Sequence, residues 1–189
     1  ADSSWLEKHS LTPKKYILAT IHRAESTDTP ERLQKLLQTL DQISRKHLPV
    51  IWPMHPRTSN MIKNNAELAK ILDNAGFIGI APIGYLDMVC AEKNARLIVT
   101  DSGGVQKEAF FHRVPCVTMR SETEWVELVD AGWNTIAGLE PENILAAVEK
   151  MLNLNTEKLP YPDLYGSGAA GQNIVKELIK WGKERAGQR

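Results

Sequence analysis

Short apolar runs alternate along this chain with longer segments of helical periodicity, and this alternation constrains the fold more than any other feature. The runs cover residues 15–21, 50–54, 77–81, 96–100 and 115–119, and residues 134–137 are interpreted as a last strand. Strands that are apolar throughout, and not only at every second residue, are typical of a parallel sheet with helices on both faces. We therefore predict an α/β fold built on a doubly wound parallel sheet.

The segments between these runs favour helices. Residues 30–47 place leucines and an isoleucine on one helical stripe, and Thr29 and Pro30 suit the N-cap and the first helical position. Further helices are predicted over residues 60–75, 86–94, 105–112, 124–131, 142–153 and 172–185. The last of these has an apolar face formed by Ile174, Val175, Leu178 and Ile179.

Composition limits the range of functions. The 189 residues suffice for one sizeable domain but hardly for two, and 23 basic residues balance 23 acidic ones. This balance gives no support for nucleic-acid binding. No apolar run approaches the roughly 20 residues that cross a bilayer, and the N-terminus lacks a signal-peptide pattern. Cys90, Cys116 and the five histidines have no metal-ligand or disulfide spacing. We expect a cytoplasmic protein without membrane partner, metal or cofactor.

One glycine motif is a false lead. Residues 166–171, GSGAAG, match the GxGxxG pattern of dinucleotide-binding sites. They follow a proline-rich stretch instead of a buried strand, and 18 residues remain after them, too few for a second strand with an acidic ribose ligand. We interpret the segment as a turn before the last helix.

A glycine pair stands where the fourth apolar run passes into a helix, in the segment VTDSGGVQKEA (99–109). Gly103 and Gly104 allow a ligand to approach the backbone closely, and Ser102 offers a hydroxyl. The positive end of the following helix faces the same spot, which suits an anion such as a phosphate. Glu108, one turn into the helix, could accept hydrogen bonds from a ribose diol. A plain tight turn is an equal alternative on spacing alone.

Ionisable side chains collect at the ends of three further runs. His22, Arg23 and Glu25 follow the first run, His55 and Arg57 the second, and Arg120 and Glu124 the fifth. A histidine there can transfer a proton near neutral pH or bind a phosphate, although each residue alone is more typical of a solvated surface. In a parallel sheet the loops 22–28, 53–58, 82–87 and 101–104 lie beyond the carboxyl ends of the strands, where ligands bind.

Five sequence blocks closely resemble the non-hydrolysing UDP-N-acetylglucosamine 2-epimerases. In chain order they are ATIHRAES, PMHPRT, APIGYLDMV, TDSGGVQKEA and VPCVTMRSETEWVELVDAG. The resemblance extends from about Tyr16 to Gly171 and covers most of the chain. TDSGG alone is a moderately specific motif, whereas five collinear blocks are highly specific.

The resemblance implies a fold of two Rossmann-like domains, similar to that of GT-B glycosyltransferases, with the active site in the cleft between them. Residues 1–189 would form a single Rossmann-like domain, the second of the two. Residues 1–14 would be a linker or the remnant of a helix, and helix 172–185 would cross back to the first domain. That first domain, which carries the family's catalytic carboxylates, would be supplied in cis or in trans. The family also suggests a homodimer.

The family reaction inverts C2 of UDP-GlcNAc to give UDP-ManNAc by elimination and re-addition of UDP. By resemblance, Ser102, Gly103 and Gly104 would hold the diphosphate and Glu108 the ribose hydroxyls. The loop 83–88, with Ile83 and Met88, would line the uracil pocket. The resemblance gives His22 the catalytic role of helping the diphosphate depart, because an imidazolium stabilises the developing negative charge.

Three departures from the family pattern affect the expected specificity. Trp125 stands where the family has an arginine, Lys107 where a second glutamate is common, and Ser167 where an aspartate is common. A diacetamido sugar nucleotide is therefore an alternative substrate, and His55 and Arg57 could serve an active or a regulatory site. The alternative functions are the donor-binding domain of a GT-B UDP-sugar glycosyltransferase and a non-catalytic nucleotide-binding module.

Overall fold

The computed structural model describes residues 4–73 and 75–186, without the side chains of Glu25 and Ala186. It divides into two units, Ala1–Leu159 and Pro160–Arg189. The elements of the first unit are α1 (Trp5–Lys8), β1 (Ile17–Thr20), α2 (Ala24–Thr27), α3 (Pro30–Lys46), β2 (Val50–Pro53), α4 (Pro56–Lys63), α5 (Ala66–Asp73), β3 (Ile78–Ile80), α6 (Tyr85–Asn94), β4 (Leu97–Thr100), α7 (Gly103–Phe111), β5 (Cys116–Thr118), α8 (Val126–Asp130), β6 (Asn134–Ile136) and α9 (Pro141–Leu152). The second unit contains α10 (Ala170–Ala186).

The six described strands form one sheet in the order β3-β2-β1-β4-β5-β6, and every pairing is parallel. The predicted doubly wound parallel sheet is therefore confirmed, and each of the six predicted strand regions contains one strand. In the register of the central strands, Thr20 pairs with Thr100 and Thr100 pairs with Thr118. The strand order reverses between β1 and β4, so loops diverge there and leave a crevice at the carboxyl edge.

Each face of the sheet has its own apolar core. Along β1, Ile17 and Ala19 belong to the core beneath α3, α4, α5 and α9, while Leu18 belongs to the core beneath α1, α6 and α7. All three side chains are fully buried. Burial on both faces explains why the central strands β1 and β4 are largely apolar, since neither side-chain direction reaches water there.

The helix predicted over residues 60–75 is wrong, because two helices, α4 and α5, occupy this region. α4 begins at Pro56, and the His55 side chain caps it by accepting a hydrogen bond from the backbone N–H of Arg57 at 3.2 Å. Asn65 interrupts the helical path, because its Oδ1 accepts the backbone N–H groups of Glu67 and Leu68 at 3.0 and 3.2 Å. An asparagine N-cap thus restarts the chain as α5.

The second unit confirms the last predicted helix. α10 extends from Ala170 to Ala186, and its five large apolar side chains are more than half exposed, namely Ile174, Val175, Leu178, Ile179 and Trp181. Before it, Gly166 and Gly168 have φ angles of 72° and 83°. These left-handed conformations form turns that glycine adopts without strain, which agrees with a turn in place of a dinucleotide fingerprint.

Candidate functional site

A cavity of about 250 Å³ opens at the carboxyl ends of β1, β2 and β3. Four of the residues singled out from the sequence line it, namely His22, His55, Ile83 and Met88. Its remaining wall is mainly apolar and includes Val105 from the first turn of α7. The structure therefore brings two imidazoles and an apolar pocket to the start of α7.

Asp101 holds His22 in place. The Asp101 side chain is completely buried, and its carboxylate accepts the backbone N–H groups of His22 at 3.1 Å and of Arg23 at 2.9 Å. Its Oδ1 also lies 3.4 Å from Nδ1 of the half-exposed His22 ring. A carboxylate at Nδ1 orients an imidazole and leaves Nε2 for a second partner.

Sequence reasoning missed Asp101, although it occupies the position directly after the fully buried strand β4. The criterion that identified His22 and His55, a polar side chain at the end of a strand, would also have identified Asp101. Two threonines complete this junction, since Thr20 Oγ1 donates to Thr100 Oγ1 at 2.6 Å and the backbone N–H of Ser102 donates to the same oxygen at 2.9 Å. The turn that begins α7 is thereby tied to β1.

The N-terminus of α7 is open to a ligand. Ser102 occupies its N-cap position, but the serine side chain makes no capping hydrogen bond. The first N–H groups of a helix have no acceptor within the helix, and the helix dipole adds partial positive charge there. Gly104 is exposed, and a Cβ at this position would meet nothing closer than Ser102 Oγ at 4.0 Å. This end of α7 can bind an anion such as a phosphate.

A buried amide network anchors one flank of α7. Gln106 is 1% exposed, and its Oε1 accepts hydrogen bonds from Thr123 Oγ1 at 2.6 Å and from Asn134 Nδ2 at 3.0 Å. Its Nε2 donates to the Ser102 carbonyl at 3.3 Å. The network links α7 to β6 and to the loop before α8. Gln106 was not predicted, because a polar residue inside a helix carries no local signal of burial.

This loop places Glu124 beside the glycine turn. Glu124 Oε2 accepts a hydrogen bond from Arg120 at 2.7 Å, and the Trp125 indole N–H donates to the Gly103 carbonyl at 2.9 Å. A hydrogen bond from its own backbone N–H, the hydrogen bond from Arg120 and the charges of Arg120 and Arg23 lower the pKa of Glu124. The predicted residues Arg23, Arg120 and Glu124 therefore form one charged group next to Gly103.

His55 and Arg57 have structural partners of their own. His55 caps α4 while lining the cavity, and Arg57 forms an ion pair with Asp28, which follows α2. Glu25 was also singled out from the sequence, but its side chain lies outside the described residues. Glu108 is half-buried further along α7.

Residues 4–73 and 75–186 contain neither a metal-binding cluster nor a membrane-spanning helix. No group of three or more His, Cys, Asp or Glu side chains is arranged to hold a metal ion. No helix in this part of the chain is long and apolar enough to cross a bilayer.

The parallel sheet and the ligand-accessible helix N-terminus at its carboxyl edge define a Rossmann-like domain with a strand-end binding site. Residues 2–179 match the family model described as UDP-N-acetylglucosamine 2-epimerase. The chain therefore belongs to the UDP-N-acetylglucosamine 2-epimerase family, as the sequence blocks had indicated.

Two curated relatives and one solved structure illustrate the similarity. A UDP-N-acetylglucosamine 2-epimerase of Methanococcus maripaludis is 45% identical over 163 residues, which are 86% of this chain and 44% of the relative. The UDP-2,3-diacetamido-2,3-dideoxy-D-glucuronate 2-epimerase of Pseudomonas aeruginosa is 41% identical over 87% of this chain and 44% of that protein. The Methanocaldococcus jannaschii UDP-GlcNAc 2-epimerase in complex with UDP-GlcNAc and UDP matches with a TM-score of 0.81 and 37% identity, covering 95% of this chain and 49% of that one. The chain thus spans about half the length of the proteins it matches.

Proposed function

We propose that this chain is the UDP-binding half of a UDP-GlcNAc 2-epimerase. The observation that supports this most strongly is the open N-terminus of α7, which lies beside the His22–Asp101 pair at the carboxyl edge of the sheet. Its N–H groups and the Ser102 hydroxyl would hold the diphosphate, at the turn formed by Gly103 and Gly104. The M. jannaschii relative was solved with UDP-GlcNAc and UDP, which supports the same ligand class here.

The remaining parts of UDP would occupy the neighbouring walls. The uracil would lie in the apolar part of the cavity, against Ile83 and Met88. The ribose hydroxyls would donate to Glu108 on α7. Because Glu108 follows the glycine turn on the same helix, one rigid element would hold both the ribose and the diphosphate.

His22 would act on the leaving group. In the family reaction the C2 proton leaves as UDP is eliminated, and both are later returned, the proton from the opposite face. Asp101 holds the ring through Nδ1, so a protonated His22 would present its Nε2–H to the diphosphate and stabilise its departing charge. Arg23 and Arg120 would add positive charge near the phosphates or the sugar, with Glu124 and Glu25 nearby. His55 and Arg57 would lie at the outer rim, where they could contact the substrate or a regulator.

The chain would need a second half to complete the reaction, since it spans about half of each relative. Within residues 1–189 we propose a single UDP-binding domain, and a Rossmann-like partner domain, in cis or in trans, would close over the sugar. Helix 172–185 would pass to that domain, and the assembled enzyme would be a homodimer. We further propose a cytoplasmic setting in which UDP-ManNAc supplies cell-surface polysaccharide synthesis.

Calorimetric titration with UDP tests the binding half of this proposal. We expect the chain to bind UDP, and we expect Gly104→Glu to weaken binding by about a hundredfold, because a carboxylate would occupy the anion site. The fold should tolerate this change, since the position is exposed and acidic residues are favourable in a first helical turn. Gly182→Glu, in open space on α10, is the matched control and should bind UDP like the wild type.

Incubation with UDP-GlcNAc tests the other half. We expect no UDP-ManNAc and no exchange of the C2 proton in D₂O, measured by NMR. Conversion by this chain alone would contradict the need for a second half. Failure of the wild type to bind UDP, or undiminished binding by Gly104→Glu, would contradict the proposed UDP site.

A further inference from the structure

Glu92 is a buried acid that the site described so far does not use. It lies near the end of α6, its side chain is fully buried, and neither carboxyl oxygen receives a hydrogen bond from an N–H or hydroxyl group of the described residues. The Nε2 atom of His112 is 3.9 Å from Oε2, which is beyond hydrogen-bond distance. A buried carboxylate with no donor is strongly unfavourable.

The group that faces Glu92 is the carboxyl of Glu108, on the adjacent helix α7. Helices α6 and α7 contact each other, and the Glu92 and Glu108 side chains interact across this contact. Two ionised carboxylates have four acceptor sites between them and no proton to share, so this contact requires one acid to be protonated. Glu92 is the more deeply buried of the two, whereas Glu108 is partly exposed, so the proton belongs on Glu92.

Among the described residues, neither His112 nor Lys14 removes the need for this proton. Burial lowers the pKa of His112, which favours the neutral imidazole. The Lys14 ammonium donates instead to the backbone carbonyls of Lys93 and Ala95. Burial also raises the pKa of the Cys116 thiol, on β5, to about 12, so this thiol adds no charge beside Glu92 at pH 7.

The same environment sets the pH at which Glu92 ionises. Burial, and secondarily the negative charge of Glu108, raises the pKa of Glu92 to about 8. Glu92 is therefore a hydrogen-bond donor at pH 7 and becomes a second negative charge beside Glu108 in mildly alkaline solution.

We propose that Glu92 is a positioning residue for the ribose: its protonated carboxyl donates a hydrogen bond to Glu108 and holds that carboxylate ready to accept the ribose hydroxyls. This inference rests on the proposed function, because the ribose belongs to UDP. It assigns the buried acid a task that neither an apolar residue nor an ionised acid could perform.

Two substitutions separate the donor from the charge. Glu92→Gln keeps a donor that cannot ionise, and Glu92→Met keeps the volume without a donor. The probes are UDP and 2′,3′-dideoxy-UDP, which lacks the ribose diol. At pH 7 the wild type and Glu92→Gln should bind UDP more tightly than the dideoxy compound. In Glu92→Met the ratio of these two affinities should be about fivefold smaller, because UDP binds more weakly while the dideoxy compound binds as it does to the wild type. Glu67→Gln, exposed on α5, controls for removal of one carboxylate.

The pH dependence of the preference for UDP distinguishes this role from a merely structural one, which would leave that preference unchanged with pH. Between pH 7 and pH 9 the wild-type preference for UDP should decline, because ionised Glu92 repels Glu108, and Glu92→Gln should keep its preference. Infrared spectra should show a protonated carboxyl band at pH 7 that fades by pH 9 and is missing from Glu92→Gln.

The outcomes distinguish the two proposals. A wild-type chain that does not bind UDP contradicts the proposed function and, with it, the ribose role. UDP binding with equal ribose preference in the wild type and Glu92→Met contradicts the Glu92 proposal alone. The absence of a titrating carboxyl band also contradicts it, whatever the result with UDP.

Discussion

The two flanks of α7 hold this helix by opposite means. On one flank the Gln106 amide is buried, and both its oxygen and its nitrogen are hydrogen-bonded, to Thr123, Asn134 and Ser102. On the other flank Glu92 is equally buried, and its proposed hydrogen bond to Glu108 forms only when a proton lies between the two acids. Both flanks contact the helix that begins at the candidate anion site.

The difference shows how burial affects neutral and ionisable groups. A neutral network that satisfies every donor and acceptor has the same structure at any pH near neutrality. A carboxyl pair in the same surroundings depends on its proton, so its stability changes with pH. The Gln106 flank should therefore give a constant anchor and the Glu92 flank a pH-sensitive one.

The largest expected effect is the pH dependence of stability due to Glu92. Its pKa is about 8 in the folded chain and close to the ordinary value of 4.5 when unfolded. Between these values the unfolded chain releases the proton and the folded chain retains it, so rising pH favours unfolding. From pH 5 to pH 8 the advantage of Glu92→Gln over the wild type should grow by about 3.5 kcal/mol in unfolding free energy.

Urea unfolding at pH 5, 6, 7, 8, 9 and 10 measures this difference, and the plateau above about pH 8 reports the folded pKa. Glu67→Gln, an exposed acid on α5, should track the wild type across the range. A constant difference between Glu92→Gln and the wild type would show that Glu92 is already ionised in the folded chain.

The second-largest effect is expected from removing the hydrogen bonds of Gln106. Gln106→Leu should lower the unfolding free energy by about 3 kcal/mol, because the Asn134 amide and the Ser102 carbonyl lose a buried partner. The loss should be the same at pH 6 and pH 8, since none of these partners titrates in that range. Gln38→Ala, exposed on α3, should change the unfolding free energy by less than about 0.5 kcal/mol. A loss that varies with pH would mean that the two flanks are coupled.

The contrast between the flanks also explains what the sequence could reveal. The parallel sheet was predictable because runs such as 17–19 and 97–99 are apolar at three successive buried positions. The glycine turn and the strand-end histidines were predictable because their residue types are unusual at such positions. The resemblance of five blocks then suggested their roles. These signals are all local in the chain.

The residues that were missed depend on distant contacts. Asp101 is important because it binds the backbone N–H of His22, 79 positions away. Gln106 and Glu92 are polar residues within helices, a pattern that usually indicates a solvated face, and their burial depends on packing against other elements. The break at Asn65 was missed because helical periodicity continues across it.

The smallest effect compares the two glycines at the start of α7. A Cβ at Gly103 would overlap the Glu124 carboxylate, whereas a Cβ at Gly104 would have Ser102 Oγ as its nearest neighbour, at 4.0 Å. Alanine stabilises a helix relative to glycine by about 0.5–1 kcal/mol, so Gly104→Ala should be slightly more stable than the wild type. Gly103→Ala should lose that gain, because Glu124 must move away, and should be about 1 kcal/mol less stable than Gly104→Ala.

NMR of the Trp125 indole N–H distinguishes a displaced Glu124 loop from a purely local change at the glycine. This N–H donates to the Gly103 carbonyl, so its resonance should shift in Gly103→Ala and stay in place in Gly104→Ala. Equal stabilisation by both alanines, with an unshifted indole resonance, would show that Glu124 is not held against Gly103. The neutral flank would then end at Gln106 and Thr123, and the charged group of Arg120 and Glu124 would move independently of the glycine turn.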